Sequence, residues 1–465
     1  MVKRSTSTSA FGVSKRESHD ASGFYRRFTP LEVSDDAEVA DQRALDKLIV
    51  GDARRMDEVP DSSVALVVTS PPYFAGKEYE EALGEEGVPG TYLDYLEMLR
   101  EVLAECARKL EPGGRLAVNV ANLGRRPYRS LSADVIGILQ DDLRLLLRGE
   151  IIWMKQRGSS GSCAWGSFQR PANPVLRDLT ERVVVASKGR FDRAIPARER
   201  ILRSLPSESS MTRDDFMENT LDVWEIPAER ATRVGHPAPF PVELPARLIE
   251  MYTYRGDLVL DPFAGSGTTA VAALRTGRHF AGYDLDASYI ALAEVRVRTE
   301  RQRIAEEVSP WPTVGLTDGE GAGAEPAPVV AVGAGRSAKE VAQSVIQSAG
   351  FADLSKNRRR GGGVTVDFTA CDGRGRLWLF ELAGGFTKYR GGLRRADVLW
   401  KALGKAAVLR ESEDAPLVLL TTEMPVGGPG AQALERMVGE GRPVRAVVNI
   451  LDPSASAHLR LLVGD

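Results

Sequence analysis

The chain has 465 residues, 43% of them hydrophobic and 27% charged, with a formal net charge of −3. That length suits two or three domains with ordinary globular cores; no apolar run approaches the length that spans a bilayer and no signal peptide is legible, so no membrane role and a cytoplasmic setting are expected. Cys106, Cys163 and Cys371 lack metal-ligand spacing and read as reduced thiols, and with only four histidines no structural zinc site is expected.

Residues 1–42 are rich in serine, threonine and charge without sustained periodicity, which predicts a disordered N-terminal arm. An α/β pattern begins with a short strand at Leu48-Ile49-Val50 and a second at 64–68. Leu93, Leu96, Leu99, Val102, Leu103 and Ala107 recur at helical spacing, predicting a helix over 91–110 that Pro112-Gly113-Gly114 ends before a strand at 115–120. A helix near 132–147, strands near 149–154 and 182–187, a helix near 241–253 and a strand at 257–261 follow. Residues 190–235 are irregular, charged and proline-bearing, and read as a specificity insert. The alternation predicts an α/β fold over 43–308, doubly wound around a mostly parallel sheet covered on both faces. The Gly/Ala/Pro/Val-rich 309–337 is a linker by composition, and 338–465 regains regular patterns as a smaller C-terminal α/β domain.

Two turns carry chemistry. Thr69-Ser70-Pro71-Pro72-Tyr73 follows the apolar run 64–68, where a buried strand meets the surface. Its prolines fix φ and lack N–H donors, leaving carbonyl acceptors; the serine hydroxyl adds another, and the tyrosine offers a ring face. That set suits a flat, amine-bearing ring. The second turn, Asp261-Pro262-Phe263-Ala264-Gly265-Ser266-Gly267-Thr268-Thr269, lies between the strand Leu258-Val259-Leu260 and an alanine-rich helix, so its glycines let a ligand approach backbone beside a helix N-terminus. Asp284 ends the next strand, where doubly wound folds place a carboxylate for ribose hydroxyls.

In this order and combination the motifs resemble the amino-methylating DNA methyltransferases that use S-adenosylmethionine, in the circularly permuted β arrangement. The resemblance spans roughly 46–300 and includes Gly51-Asp52, His236-Pro237-Ala238 with Phe240-Pro241, and Tyr289, Ala293 and Arg296. It implies a Rossmann-like methyltransferase sheet, with 190–235 as a target-recognition insert. Phe263, Gly265, Ser266, Gly267 and Thr268 would hold the methionine part of the donor, with Asp261 near its amino group. Asp284 would take the ribose hydroxyls, Asp52 the adenine amine, and His236 to Phe240 would close over the donor. Ser70, Pro71, Pro72 and Tyr73 would hold the target base, flipped out of double-stranded DNA. The alternatives are that Tyr73 packs the turn, Asp52 caps a helix and His236 is plain loop chemistry. In this family a leading serine goes chiefly with cytosine N4, and aspartate or asparagine with adenine N6. The resemblance therefore implies N4-cytosine methylation, with N6-adenine as the alternative, in a restriction–modification or defence system with a cognate component as partner. No Pro-Cys occurs, as carbon methylation of cytosine would need.

In the C-terminal domain, strands around 364–368 and 377–382 read as a hairpin carrying Asp367 and Glu381. A carboxylate inside so apolar a strand as Leu377 to Leu382 is costly unpaired, which suggests a divalent-metal site, Mg2+ by chemistry. A two-residue turn would put the acids on opposite faces, and an odd-length loop on the same face. The hairpin is similar to the PD-(D/E)XK restriction-nuclease fold, except that Ala383 stands where that family has lysine, with Lys388 the nearest substitute. A bifunctional methyltransferase–nuclease and a module that binds DNA or a partner are both open.

Overall fold

The computed structural model describes residues 31, 33–40, 46–73, 91–122, 128–155, 169, 173–174, 176, 179–229, 240–307, 337–385, 391–425 and 427–464. Two sheets organise them. The first has eight strands: β1 (Lys47–Val50), β2 (Val64–Thr69), β3 (Leu110–Val120), β4 (Leu146–Met154), β5 (Thr180–Ser187), β6 (Val223–Glu225), β7 (Leu258–Asp261) and β8 (His279–Asp284). Their order is β1-β8-β7-β2-β3-β5-β4-β6, and only β5 runs antiparallel to its neighbours.

Every residue of β2 and β7 is buried, as central parallel strands require when helices cover both faces. Helices α1 (Tyr92–Lys109) and α2 (Leu131–Gly137) pack on one face, with Leu99, Leu103, Val135, Val67 and Leu260 in their core. Helices α3 (Ala197–Leu202) and α4 (Arg213–Asn219) occupy the segment between β5 and β6. On the opposite face α5 (Glu243–Tyr252), α6 (Thr268–Thr276) and α7 (Ala287–Glu307) enclose Leu66, Val68 and Val259. The fold is doubly wound. α1 starts at a reciprocal cap, in which Asp94 N donates to Thr91 Oγ1 and Thr91 N donates to Asp94 Oδ2, each at 3.2 Å.

Three expectations are corrected. Pro112-Gly113-Gly114 does not precede its strand but lies inside β3, as a register shift between the Val64 and Leu66 pairings. Gly113 has φ +78°, and a Cβ there would fall 2.0 Å from the Asp192 carbonyl oxygen, so only glycine fits. The helix expected to reach 147 ends at Gly137 in a single π turn, Ile138–Asp142. The described part of the 190–235 segment, 190–229, is more regular than its composition suggests, because β6 extends the sheet with Trp224 wholly buried. Its base is tied to the sheet by Arg193 and Arg200, which pair with the buried Asp257; Arg193 also reaches Glu111 at 2.5 Å.

The arm expected to be disordered is docked where it is described: Ser34 N donates to Gly189 O at 2.6 Å and Ala40 N to Ser62 O at 3.0 Å. The other arm residues, and 309–336 of the expected linker, lie outside the described set.

The second sheet has strands β9 (Ala352–Arg359), β10 (Thr365–Cys371), β11 (Leu377–Ala383), β12 (Leu417–Thr421) and β13 (Ala446–Asn449), in the order β13-β12-β11-β10-β9. β9, β10 and β11 form an antiparallel meander, and β11, β12 and β13 are parallel. α8 (Ala338–Ser348) and α11 (Ala455–Gly464) cover one face, around Phe368, Trp378 and Phe380. α9 (Ala396–Ser412) and α10 (Gly428–Met437) cover the other. Among the described residues no helix is long and apolar enough to cross a membrane.

Candidate active site at the carboxyl edge of the first sheet

β2 and β7 lie side by side, yet the helix that follows each packs on a different face of the sheet. Such a change of face marks the carboxyl edge as the place where open α/β sheets bind ligands. Ser70 follows β2, Asp261 ends β7, Asp284 ends β8, and Gly51-Asp52 follows β1. Both sequence motifs therefore meet at one edge.

Asp261 is the hinge of this edge. Its Oδ1 accepts Thr69 Oγ1 at 2.8 Å and Phe263 N at 3.1 Å, and its Oδ2 accepts Thr269 Oγ1 at 2.6 Å. Burial pushes its carboxyl up to about 6, against the hydrogen bonds from Thr269 and Thr69. The side chain thus points into the protein and sets the shape of both turns. Asp284 accepts Gly265 N on Oδ2 at 2.8 Å and Asp286 N on Oδ1 at 3.0 Å, and burial raises its carboxyl as well. Gly51 N donates to Asp284 O at 2.9 Å, which places the β1 turn beside the same acid.

Gly267 is the N-cap of α6 at φ +77°, and a Cβ on it would come within 2.7 Å of Ala293 Cβ in α7. Arg296 of α7 donates to Ser266 O at 2.6 Å, Ser266 Oγ at 2.7 Å and Thr268 Oγ1 at 3.3 Å, so this arginine holds the loop from behind. Phe263 is half-buried against the core of the α1 face. Asp52 is at the edge but its carboxylate is bound by Arg54 at 2.6 Å, which holds it below its ordinary value. His236 lies outside the described residues.

The Ser70 turn is locked by its own neighbours. Tyr95 OH donates to Pro72 O at 2.5 Å, and Pro71 is buried. Tyr73 is only 8% exposed, its ring in the core and its hydroxyl in a polar cluster. Burial raises that phenol well above its ordinary value, and the Glu181 charge adds to the shift. In this arrangement the ring is packed in the core beside the turn.

That cluster contains residues that no sequence motif singles out. Ser70 Oγ lies 2.8 Å from Tyr73 OH, which donates to Glu181 Oε2 at 2.9 Å. Asn119 Nδ2 donates to the same Glu181 oxygen at 2.6 Å and to Tyr73 OH at 2.9 Å. Lys155 Nζ meets Glu181 Oε1 at 3.1 Å. Their signal in the sequence is faint, as isolated polar residues near strand ends: Asn119 between Val118 and Val120, and Glu181 just before Val183 to Val185.

In the C-terminal domain β10 and β11 pair Phe368 with Phe380, and continuing that register by one brings Asp367 level with Glu381. The intervening loop, Asp372 to Arg376, has an odd length, so the acids share a face. The metal expectation does not survive their partners. Lys339 of α8 binds Asp367 at 2.8 Å, and Leu382 N donates to its other oxygen at 3.0 Å. Lys405 of α9 binds Glu381, whose carboxyl burial raises. Two ammonium groups neutralise the pair, and among the described residues no group of three ligating side chains could hold a metal. The lysine on Glu381 comes from α9 and not from Lys388, which lies outside the described residues.

The sequence model of the N6/N4 DNA methylase family matches residues 64–295. The type II methyltransferase M.MjaI of Methanocaldococcus jannaschii is 30% identical over 291 residues, covering 56% of this chain and 93% of that protein. The type II methyltransferase M.MthZI of Methanothermobacter thermautotrophicus is 31% identical over 276 residues, covering 54% and 76%. Among solved structures, the putative DNA modification methylase TTHA0409 of Thermus thermophilus, complexed with S-adenosyl-L-methionine, is 33% identical, with 55% of this chain and 93% of that one covered and a TM-score of 0.41. The chain belongs to the N6/N4 DNA methylase family.

Proposed function

We propose that this DNA methyltransferase moves a methyl group from S-adenosylmethionine to the N4 amine of a cytosine flipped out of double-stranded DNA, as the modification arm of a restriction–modification or defence system. The observation that carries the reading is the bond from Thr69 to Asp261, which joins the turn after β2 to the turn after β7 at one edge of the sheet. The residues present fit the donor. Asp284 uses one lone pair of each oxygen on a backbone amide and keeps the other for a hydroxyl, next to a glycine turn that opens a helix N-terminus. When bound, S-adenosylmethionine supplies a sulfonium-activated methyl group.

The protein's own task is positioning. An exocyclic amine is a poor nucleophile because its lone pair is delocalised into the ring. Acceptors at Ser70 Oγ and the Pro71 carbonyl draw its N–H bonds to one side and favour a pyramidal nitrogen aimed at the methyl group. The base must leave the duplex to reach this edge. A cysteine mechanism has no support in Cys106, which is in the core with its thiol pushed up by burial. The leading serine, Ser70, favours cytosine; N6-adenine is the competing assignment. Nucleoside mass spectrometry of unmethylated DNA incubated with protein and labelled donor decides it: N4-methylcytosine supports the reading, N6-methyladenine replaces the base, and no label in DNA removes it.

For the C-terminal domain the shared face of Asp367 and Glu381, each held by a lysine, supports a DNA- or partner-binding module attached to the methyltransferase. Loss of DNA affinity on deleting 338–465, with donor affinity kept, is the corresponding test.

A further inference from the structure

Methylation of an amine leaves the nitrogen with one proton too many, and that proton needs a destination. We propose that Glu181 receives it, reached from Ser70 through the Tyr73 hydroxyl, a step that rests on the amine-methylation reading above.

The hydrogen-bond directions in the cluster are fixed from its far end. An ionised Glu181 only accepts, and its Oε2 takes Tyr73 OH at 2.9 Å and Asn119 Nδ2 at 2.6 Å. Asn119 Nδ2 also donates to the Tyr73 oxygen at 2.9 Å. The tyrosine proton is therefore committed to Glu181, and the 2.8 Å contact between Ser70 and Tyr73 has Ser70 as its donor. With its own proton committed inward, Ser70 Oγ meets a ligand as an acceptor, apart from a long 3.4 Å approach by Asn119 Nδ2. It suits an N–H and rejects a carbonyl. Two contacts, 2.8 Å and 2.9 Å, thus connect Ser70 Oγ to Glu181 Oε2, and the carboxylate at their end sets the polarity of the serine that meets substrate.

The step balances along that chain. The nitrogen–carbon bond forms, the carbon–sulfur bond breaks, and its electron pair stays on sulfur. The surplus proton passes from nitrogen to Ser70 Oγ while the serine proton passes to Tyr73 and the tyrosine proton to Glu181 Oε2. Both hydroxyls stay neutral and Glu181 ends protonated. The partly exposed Lys155, 3.1 Å from Glu181 Oε1, marks the side from which water takes the proton back, and it holds the carboxylate once that is ionised again. Glu181 acts through Tyr73 and is a positioning residue with respect to the amine.

Glu181→Gln keeps an acceptor for Tyr73 but cannot take a proton. Single-turnover methylation at saturating donor and DNA should fall by about 100-fold, within the usual range for general acid–base groups. Affinity for DNA and donor should stay within about 3-fold. Glu181→Asp should recover part of the loss, and Tyr73→Phe should match Glu181→Gln without adding to it in the double variant. In the unliganded protein, the labelled Tyr73 ring carbon bearing the hydroxyl should shift in Glu181→Gln, reporting the lost carboxylate contact without any turnover. A Glu181→Gln rate within about 3-fold of wild type overturns the relay, as does a loss of DNA or donor affinity as large as the loss of rate. If Glu181→Gln does not fold, Tyr73→Phe decides, and an unchanged rate overturns the proposal. Wild-type protein that methylates no amine defeats the function reading instead.

Discussion

Thr69 Oγ1 donates to Asp261 Oδ1 at 2.8 Å across 192 positions of sequence, so the turn after β2 and the turn after β7 share one buried carboxylate. Thr69→Val keeps the shape of the side chain and removes that bond. Hydrogen bonds to charged groups contribute roughly 1.5–3 kcal/mol. Chemical denaturation should show a loss of that order, and calorimetry a weaker hold on S-adenosylmethionine, because the turn proposed to hold the donor loses one of its anchors.

Asp261 also gives the protein a pH signature. Its native carboxyl titrates at about 6 against an ordinary 3.8, so the folded state binds its proton more tightly than the unfolded chain does. The stability this group contributes is present in full below its ordinary value and is lost as pH rises towards about 6. A difference of that size between folded and unfolded chain corresponds to about 3 kcal/mol. Asp261→Asn removes the titration, so its stability relative to wild type should rise by an amount of that order between about pH 4 and pH 7. A flat difference across this range contradicts the burial of the charge.

Gly267→Ala places a methyl group 2.7 Å from Ala293 Cβ at a backbone φ of +77°. Both the strain and the displaced α7 act on the turn proposed to hold the donor. The melting temperature should fall, and donor affinity should drop by about 10-fold or more, while Gly404→Ala, with open space around its Cβ, leaves both nearly unchanged.

Lys405→Met leaves Glu381 buried without its counter-charge. Removing one partner of a buried pair typically costs about 3–5 kcal/mol. Denaturation of the second domain should show that loss near neutral pH, less of it in acid as Glu381 takes a proton, and its recovery in the double variant with Glu381→Gln. Because the lysines already neutralise the acids, Mg2+ and chelator should leave wild-type melting unchanged. Stabilisation by Mg2+ would restore the metal reading.

Much of the first domain is legible in the sequence because its strands are short apolar runs ending in turn chemistry, as at Val68-Thr69-Ser70 and Leu260-Asp261-Pro262. The motifs are legible for the same reason, since glycine, proline and acid at a strand end have few other uses. Contacts across the sheet are not. Nothing local announces that Asn119 and Glu181 meet Tyr73, because β3 and β5 are brought together by pairing between distant segments. For Tyr73 the sequence leaves open a ring face for a base or packing of the turn, and the inward partners of its hydroxyl come from other strands. Lys405 is hidden likewise: a helix delivers it 24 positions after Glu381, where a local motif places a neighbour in the same strand.

The proposed division, in which Ser70 holds the amine and the turn from Asp261 to Thr268 holds the donor, is tested most directly by Ser70→Ala when single-turnover methylation and donor affinity are measured on the same preparation. The expected result is a rate lower by about 100-fold or more with donor affinity within about 3-fold of wild type. An unchanged rate, or equal losses of rate and donor affinity, would contradict it.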